Sequence, residues 1–263
     1  MSEYTTLELT PKTIAEYGVC GYKDVKKHAE LRKKIEWYRI NYPKGLRIKI
    51  ILARDNSYQG MIEYMPGTLA YRPVDAREYL FIQCLFVGFN KKYKGRGFAS
   101  LLISECIETA TSAEMKGVAV ITRKGSFMVN KEIFLKHGFE VVDKVQPDFE
   151  LLVNKFDESA QDPSFRNMKQ SLEKYTDGLY VLRSVQCPYT EKNVQAIIDT
   201  AKKEFNIDPH LIELKDEHDV QDSPCPFGSF CIIYNGEIIS HHPISNTRFK
   251  NIMNKLVHIT TKL

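Results

Sequence analysis

The stretch Lys94-Gly95-Arg96-Gly97-Phe98-Ala99 decides how the chain folds. Before it stands Tyr79–Val87 (YLFIQCLFV), the most apolar segment of the chain, with Gln83 as its polar interruption. Such a run reads as a central strand buried on both faces. After it, Leu101, Leu102, Cys106, Ile107 and Ala110 recur at helical spacing, which predicts a helix over Phe98–Thr111. The glycines therefore occupy a strand-to-helix turn. Glycine lets backbone N–H groups approach a ligand closely, and a helix start adds partial positive charge. With Lys91, Lys92, Lys94 and Arg96 in the same turn, the stretch reads as a cradle for more than one phosphate.

Two phosphate loops fail on their residues. A Walker A loop needs Gly-Lys-Ser/Thr at the helix start, where this chain has Gly97-Phe98-Ala99. The dinucleotide fingerprint needs a third glycine where Ser100 stands, and an acid after the next strand, where Arg123 and Lys124 stand.

Outward from that turn, the first half alternates strands and helices. Tyr4–Leu9 reads as a strand, Pro11–Gly18 as a short helix and His28–Asn41 as an amphipathic helix ended by Pro43-Lys44-Gly45. Strands follow at Leu46–Arg54 and Gly60–Tyr64. Beyond the long helix, Val118–Thr122 is a strand, Phe127–His137 a helix stopped by Gly138, and Phe139–Val145 and Phe149–Phe156 are two closing strands. Asp157–Pro163 is polar and turn-rich, as a linker would be. The second half is expected to run helix (Phe165–Tyr175), strand (Leu179–Val185), helix (Thr190–Phe205), strand (His210–Leu214) and short helix (Glu217–Asp222). A hairpin about Asn235-Gly236 and a final helix at Ile244–Lys255 close it. The domains expected are 1–156 and 179–263, joined by a linker and connecting helix at 157–178.

Charge divides the same way. The whole chain of 263 residues carries a net charge of +4. Residues 1–156 hold 25 Lys and Arg against 18 Asp and Glu, and the remainder hold 12 against 15. The first half should therefore attract anionic ligands and the second should not. A polyphosphate cofactor meets that condition without nucleic acid. The longest apolar run is too short to span a bilayer, and MSEYTTLEL lacks a basic region followed by an apolar core. Six cysteines, at 20, 84, 106, 187, 225 and 231, are too sparse for a disulfide framework, so reduced thiols in a cytoplasm are expected.

Lys94-Gly95-Arg96-Gly97-Phe98-Ala99 resembles the coenzyme A pyrophosphate loop of the GNAT N-acetyltransferases, Gln/Arg-x-x-Gly-x-Gly/Ala, with Lys94 at the Gln/Arg position. The element order of residues 1–156 is similar to that family's, as is Lys136-His137-Gly138-Phe139. A narrower likeness is to GNAT proteins with a C-terminal YoaP-like domain. It rests on Ile62-Glu63-Tyr64-Met65-Pro66-Gly67, Lys92-Tyr93-Lys94-Gly95, Asp148–Phe156, Cys187-Pro188-Tyr189-Thr190 and Phe227-Gly228-Ser229-Phe230.

The resemblance implies an α/β fold: a mixed GNAT sheet flanked by helices, then a smaller thioredoxin-like domain. It implies acetyl transfer from acetyl-CoA to a small-molecule or peptide amine by direct attack on the thioester. Phe86 and Val87 would pair with the pantetheine. Lys92, Lys94, Gly95, Arg96, Gly97, Phe98, Ala99, Ser100 and Asn130 would hold the rest of the cofactor. Many members place a Tyr four residues before Gly-Phe as thiolate proton donor, and Phe134 stands there, with Phe127 at an expected Asn. A non-catalytic acyl-CoA sensor is therefore the alternative, and a thiol-redox or binding module is a third reading. Glu63 is the candidate base, since burial would raise its pKa toward the useful range. An exposed or salt-bridged strand glutamate is the competing reading. Cys84 reads as a buried structural cysteine.

In the second half, Cys187-Pro188-Tyr189-Thr190 lies where thioredoxin-like proteins keep Cys-x-x-Cys, with Thr190 replacing the second Cys. Pro226 stands where that family has a cis-proline, with Pro224 as the alternative. Cys225 would then face Cys187, as a redox pair or as the remnant of one. His241 and His242, adjacent on a strand, point to opposite faces and read as surface residues rather than metal ligands.

Overall fold

The computed structural model describes residues 4–88, 90–93 and 95–260. The chain divides into two compact units. One comprises the residues up to Ala70 with Val74–Arg166, and the other comprises Tyr71–Pro73 with the residues from Asn167 onward.

The first unit runs β1 (Tyr4–Glu8), α1 (Ile14–Tyr17), α2 (Ala29–Asn41), β2 (Arg47–Ala53), β3 (Tyr58–Pro66), β4 (Val74–Asp75), β5 (Leu80–Val87) and α3 (Phe98–Ser112). It continues with β6 (Gly117–Arg123), α4 (Glu132–Leu135), β7 (Glu140–Val145), β8 (Phe149–Lys155) and β9 (Ser164–Phe165). Seven strands form one mixed sheet in the order β1-β2-β3-β5-β6-β8-β7. Every neighbouring pair is antiparallel except β5 and β6, which are parallel and joined through α3. A parallel pair needs a crossover, and the helix that supplies it covers one face of the sheet. From α3, Phe98, Leu102, Ile103, Cys106 and Ala110 pack on Ile62, Tyr64, Ile82, Leu85, Val118 and Val120. Each fully buried Leu, Ile or Phe there contributes about 1.5–3 kcal/mol. Helix α2 buries Leu31, Lys34, Ile35, Trp37 and Tyr38, and the Tyr38 hydroxyl donates to the Leu9 carbonyl at 2.6 Å.

Three elements differ from their expectation. The helix expected over Phe127–His137 shrinks to α4, because Gly125 (φ +152°) and Phe127 (φ +70°) adopt left-handed backbone that a helix excludes. Phe127 is exposed rather than part of an apolar stripe. The helix expected from Phe165 starts later, at Met168. Phe165 instead pairs with Val74, and its N–H donates to the Asp143 carboxylate at 2.8 Å. The helix expected from Thr190 begins at Val194, after a separate 3-10 turn at Pro188–Thr190.

The second unit holds α5 (Met168–Leu172), β10 (Leu179–Arg183), α6 (Val194–Phe205), β11 (His210–Glu213), α7 (Glu217–Gln221), β12 (Phe230–Tyr234), β13 (Glu237–Ser240) and α8 (Asn246–Thr260). Its sheet order is β11-β10-β12-β13, with β10 and β11 parallel and the other pairs antiparallel. The turn of the β12–β13 hairpin has Asn235 at φ +48° and Gly236 at φ +79°, the left-handed pair that suits a two-residue hairpin. Phe205 of α6 meets Phe249 of α8 edge to face, with ring centroids 6.4 Å apart.

Candidate functional site

Strand β5 keeps two neighbours for only part of its length. It pairs with β3 from Leu80 to Val87, but with β6 only from Leu80 to Ile82, opposite Val118–Val120. The two parallel strands then part, while β6 stays paired with β8 through Arg123. The cause lies one residue further on. In the β3–β5 register Glu63 faces Cys84 and Tyr64 faces Ile82, so Gln83 is an extra residue on β5. A bulge bends its strand and increases local twist. Here it turns Cys84–Val87 away from β6 at the point where pairing stops. That segment stays paired with β3 beyond the end of the β5–β6 pairing. Gly60 sits under its far end, where a Cβ would come within 2.7 Å of the Phe86 carbonyl oxygen.

The glycine turn follows this strand. Gly95 and Gly97 have φ of +78° and +77°, and a Cβ at either would meet no atom within 4 Å. Glycine is required there by backbone conformation, and the space above both residues is open. Gly97 is the N-cap of α3, and the first helical bond runs from the Leu101 N–H to the Gly97 carbonyl at 2.9 Å. The N–H groups of Phe98, Ala99 and Ser100 precede that bond, as at every helix start. No acidic side chain lies in the first turn of α3. Lys91 is exposed, and the Arg96 guanidinium lies 5.9 Å from the Tyr93 ring centre.

The expected cofactor residues fall on these elements. Phe86 and Val87, both half-buried, end β5 on the diverging segment, and Phe86 stacks on Tyr58 at 6.5 Å. Phe98 contributes its backbone alone, because its ring is buried against Tyr4 and Tyr93. Ala99 and Ser100 are half-buried in the first turn of α3. Lys92 belongs to a 3-10 turn at Lys91–Tyr93, and Lys94 lies outside the described residues. Asn130 is exposed in the loop before α4.

The candidate base needs a correction. Glu63 is 0% exposed, and its carboxylate is ion-paired with the Lys34 ammonium of α2, which is also 0% exposed. Lys34 lies 4.1 Å from the Trp37 ring centre. A carboxylate sealed from solvent and held by a lysine has no route to an incoming amine. The salt-bridged reading of Glu63 is the one that holds, and the pair ties α2 to β3. Cys84 is half-buried on the diverging segment rather than fully enclosed. Phe134 is fully buried and packs edge to face on Phe139 at 5.4 Å.

All six cysteines are free thiols, and three of them, Cys187, Cys225 and Cys231, lie in the second unit. Cys187 is half-buried ahead of the 3-10 turn, and the Thr190 hydroxyl hydrogen-bonds the Ser184 and Cys187 carbonyls, each at 2.7 Å. Neither Pro224 nor Pro226 follows a cis bond, contrary to expectation. Among the described residues the cis bond is Gln146–Pro147. Cys225 Sγ lies 3.2 Å from His241 Nδ1. His241 is therefore a partner of a buried thiol rather than a simple surface residue. His242 diverges from it, with Nδ1 donating to the Pro243 carbonyl at 2.9 Å. Sequence reasoning missed Lys34 and Cys231, which carry no local signal. It noticed Gln83 only as an interruption, although a polar residue in an otherwise apolar central strand is the trace a bulge leaves.

Comparison with known proteins bears on both units. Residues 210–251 match the YoaP-like family model. Over 253 residues the chain is 24% identical to the "Uncharacterized N-acetyltransferase YoaP" of Bacillus subtilis, covering 95% of this chain and 98% of that protein. The chain is thus similar to that protein along nearly the whole of both, and the YoaP-like match falls in its second unit. Similar solved structures include an acetyltransferase of the GNAT family from Staphylococcus aureus, with 12% identity and a TM-score of 0.40. That match covers 59% of this chain and 99% of that one. Another is the PaiA N-acetyltransferase of Thermoplasma acidophilum in complex with coenzyme A, with 14% identity and a TM-score of 0.40, covering 59% and 100%. Among the described residues no helix is long and apolar enough to cross a membrane.

Proposed function

We propose that the protein is an acetyl-CoA-dependent N-acetyltransferase. The observation that carries this reading is the parting of β5 from β6 immediately before a glycine turn that opens α3. The diverging segment Cys84–Val87 offers backbone donors and acceptors in a row, so an extended pantetheine adds to it as a strand would. The N–H groups at the start of α3 take the pyrophosphate, supported by the basic turn. The relationship to an N-acetyltransferase over nearly the whole chain supports the same reading.

Transfer then proceeds by direct attack of a neutral amine on the thioester carbonyl. A backbone N–H near the bulge stabilises the tetrahedral oxyanion. No hydroxyl is available from Phe134, so the thiolate leaves without a tyrosine proton donor from that helix. A thiol of ordinary pKa, about 8.5, is a fair leaving group without one. The acceptor is a small-molecule or peptide amine. Sparse cysteine usage supports a reducing, cytoplasmic setting. The strand order of the second unit, β11-β10-β12-β13 with β10 parallel to β11, supports a thioredoxin-like module appended to the transferase.

The test is a panel of amines with acetyl-CoA, reading free CoA thiol, beside a calorimetric titration of acetyl-CoA alone. Binding with turnover is the expected result. Binding without turnover on any amine would leave an acyl-CoA sensor, the reading that Phe134 favours. Absence of binding would overturn both.

A further inference from the structure

The second unit holds a cluster that acetyl transfer does not use. Cys225 follows α7 in a loop fixed by its own N–H, which donates to the Ser223 hydroxyl at 3.3 Å. Cys231 is the second residue of β12. The β12–β13 hairpin pairs Ile232 with Ser240, so His241 emerges beside Cys231. The result is one sulfur with two polar neighbours. Cys225 Sγ lies 3.2 Å from His241 Nδ1 and 3.6 Å from the His241 carbonyl oxygen, so the residue that emerges beside Cys231 also meets Cys225. Both cysteines are 0% exposed, whereas His241 is partly exposed.

The two thiols are inequivalent. Burial pushes Cys225 up, but hydrogen bonds from Cys231 and His241 and the His241 charge outweigh it and hold the thiol below its ordinary value. Cys231 is pushed up, first by burial and then by Cys225. One sulfur is thus prepared as the nucleophile, and the other keeps its proton. Among the described residues no group of three His, Cys, Asp or Glu is arranged to hold a metal ion, which leaves sulfur redox chemistry.

We propose that Cys225 and Cys231 form a peroxide-sensitive dithiol in which a small hydroperoxide oxidises Cys225 and Cys231 resolves it as an intramolecular disulfide. His241 takes the Cys225 proton. The Cys225 thiolate attacks the terminal oxygen of the hydroperoxide. The S–O bond forms as the O–O bond breaks, and the departing alkoxide or hydroxide takes the proton from His241. The Cys231 sulfur then attacks the sulfenic sulfur. The S–S bond forms as the S–O bond breaks, and hydroxide leaves with the Cys231 proton as water. Two electrons pass from the two thiols to the peroxide, and the products are one disulfide, one alcohol or water, and one water. Complete burial of both sulfurs selects the oxidant. A glutathione-sized disulfide cannot align on them.

The experiment uses the full chain, reduced and then treated with a small excess of hydrogen peroxide. Remaining thiols are alkylated under denaturing conditions, and peptides are mapped without reduction. Chymotryptic cleavage after Phe227 and Phe230 separates the two cysteines, so a Cys225–Cys231 bridge shows as two linked peptides. That link is the expected result. Alkylation of both residues after peroxide, or linkage of Cys225 to Cys187, would overturn the proposal. With Cys231→Ala, Cys225 should accumulate as a sulfenic acid trapped by dimedone in the denaturing quench. With His241→Ala, oxidation of a chain with unchanged circular dichroism should slow by about tenfold or more, as when a thiol loses its enhanced acidity. An unchanged rate would remove His241 from the mechanism. Should either variant fail to fold, the mapping of the unmodified chain still decides the pairing.

Discussion

Each unit sends a central strand into a helix through a turn, and the two turns have opposite chemistry. Between β5 and α3 the first unit places Gly95 and Gly97, with open space above both and no acid at the helix start. Between β10 and α6 the second unit closes the turn on itself. The Thr190 hydroxyl bonds the carbonyls of Ser184 and Cys187, and the Gln186 N–H donates to the Ser184 hydroxyl at 3.3 Å. Glu191 stands just ahead of α6, bound to Arg183 at 3.2 Å. The same topology therefore gives an open glycine turn in one unit and a closed, acid-flanked turn in the other. Polar chemistry follows suit. The first unit offers backbone groups and locks its buried charges in the Lys34–Glu63 pair. The second consumes backbone groups locally and keeps its reactive atoms in buried side chains.

The locked pair gives the largest expected effect. Lys34→Met leaves Glu63 charged and buried with its partner gone, and stability should fall by about 3–5 kcal/mol. Replacing both with Met should recover most of it. Urea unfolding of the three chains measures this. A loss below about 1 kcal/mol for the single change would mean that Glu63 reaches solvent, and would return it as a candidate base.

A smaller cost is expected at Phe134→Tyr. The new hydroxyl would lie among Phe139, Val120, Leu152 and the other apolar side chains of the α3 core. An unsatisfied buried hydroxyl costs about 1–3 kcal/mol. Turnover should not rise, since a side chain fixed in the core cannot supply the missing acid. A faster enzyme would show that this helix faces the thioester after all.

The glycine turn of the first unit is tested by one substitution made at two glycines. Gly97→Val forces a branched residue into left-handed backbone and fills the space above the turn, and acetyl-CoA affinity should drop at least tenfold, or about 1.4 kcal/mol. Gly178→Val is the control. That glycine, in the second unit, has φ +87° and equally open space, so it carries the backbone strain without the ligand. Calorimetry should show unchanged affinity there. Equal losses at both glycines would remove the loop from the cofactor site.

The smallest effect concerns pH. Burial lowers the pKa of His137, so the folded chain favours the neutral ring. Its contribution to stability is present above the unfolded value of about 6.5 and is lost as pH falls through that value toward the folded one. His137→Gln should flatten this part of the slope between pH 7.5 and 5, read as urea midpoints. A steeper slope in the variant would reverse the sign.

Much of this was legible in residue patterns because the period is local. The run Tyr79–Val87 could only be a buried strand, and Gly97 before Phe98 could only cap a helix in a conformation reserved for glycine. Asn235-Gly236 marked its hairpin for the same reason. Short elements were read less well. Phe127–His137 has helical spacing, but left-handed backbone at Gly125 and Phe127 leaves room for only one turn of helix. Thr190 looked like a helix start, yet its hydroxyl was drawn backward to Ser184.

By itself the sequence determined the order of elements, the basic glycine turn and the separation of a cationic half from an anionic one. These depend on neighbours within a few residues, where backbone sterics and side-chain period act directly. Only the tertiary structure decided what lies far apart in the chain. The bulge at Gln83 exists because β3 and β5 pair out of step, and no property of Gln83 alone requires it. Glu63 is closed because Lys34, 29 residues earlier, comes down on it from α2. The Cys225 thiol meets His241 because a hairpin carries the histidine back to it across 16 residues. For Glu63 the decisive term is desolvation, and whether a charge loses its water depends on which distant segment covers it.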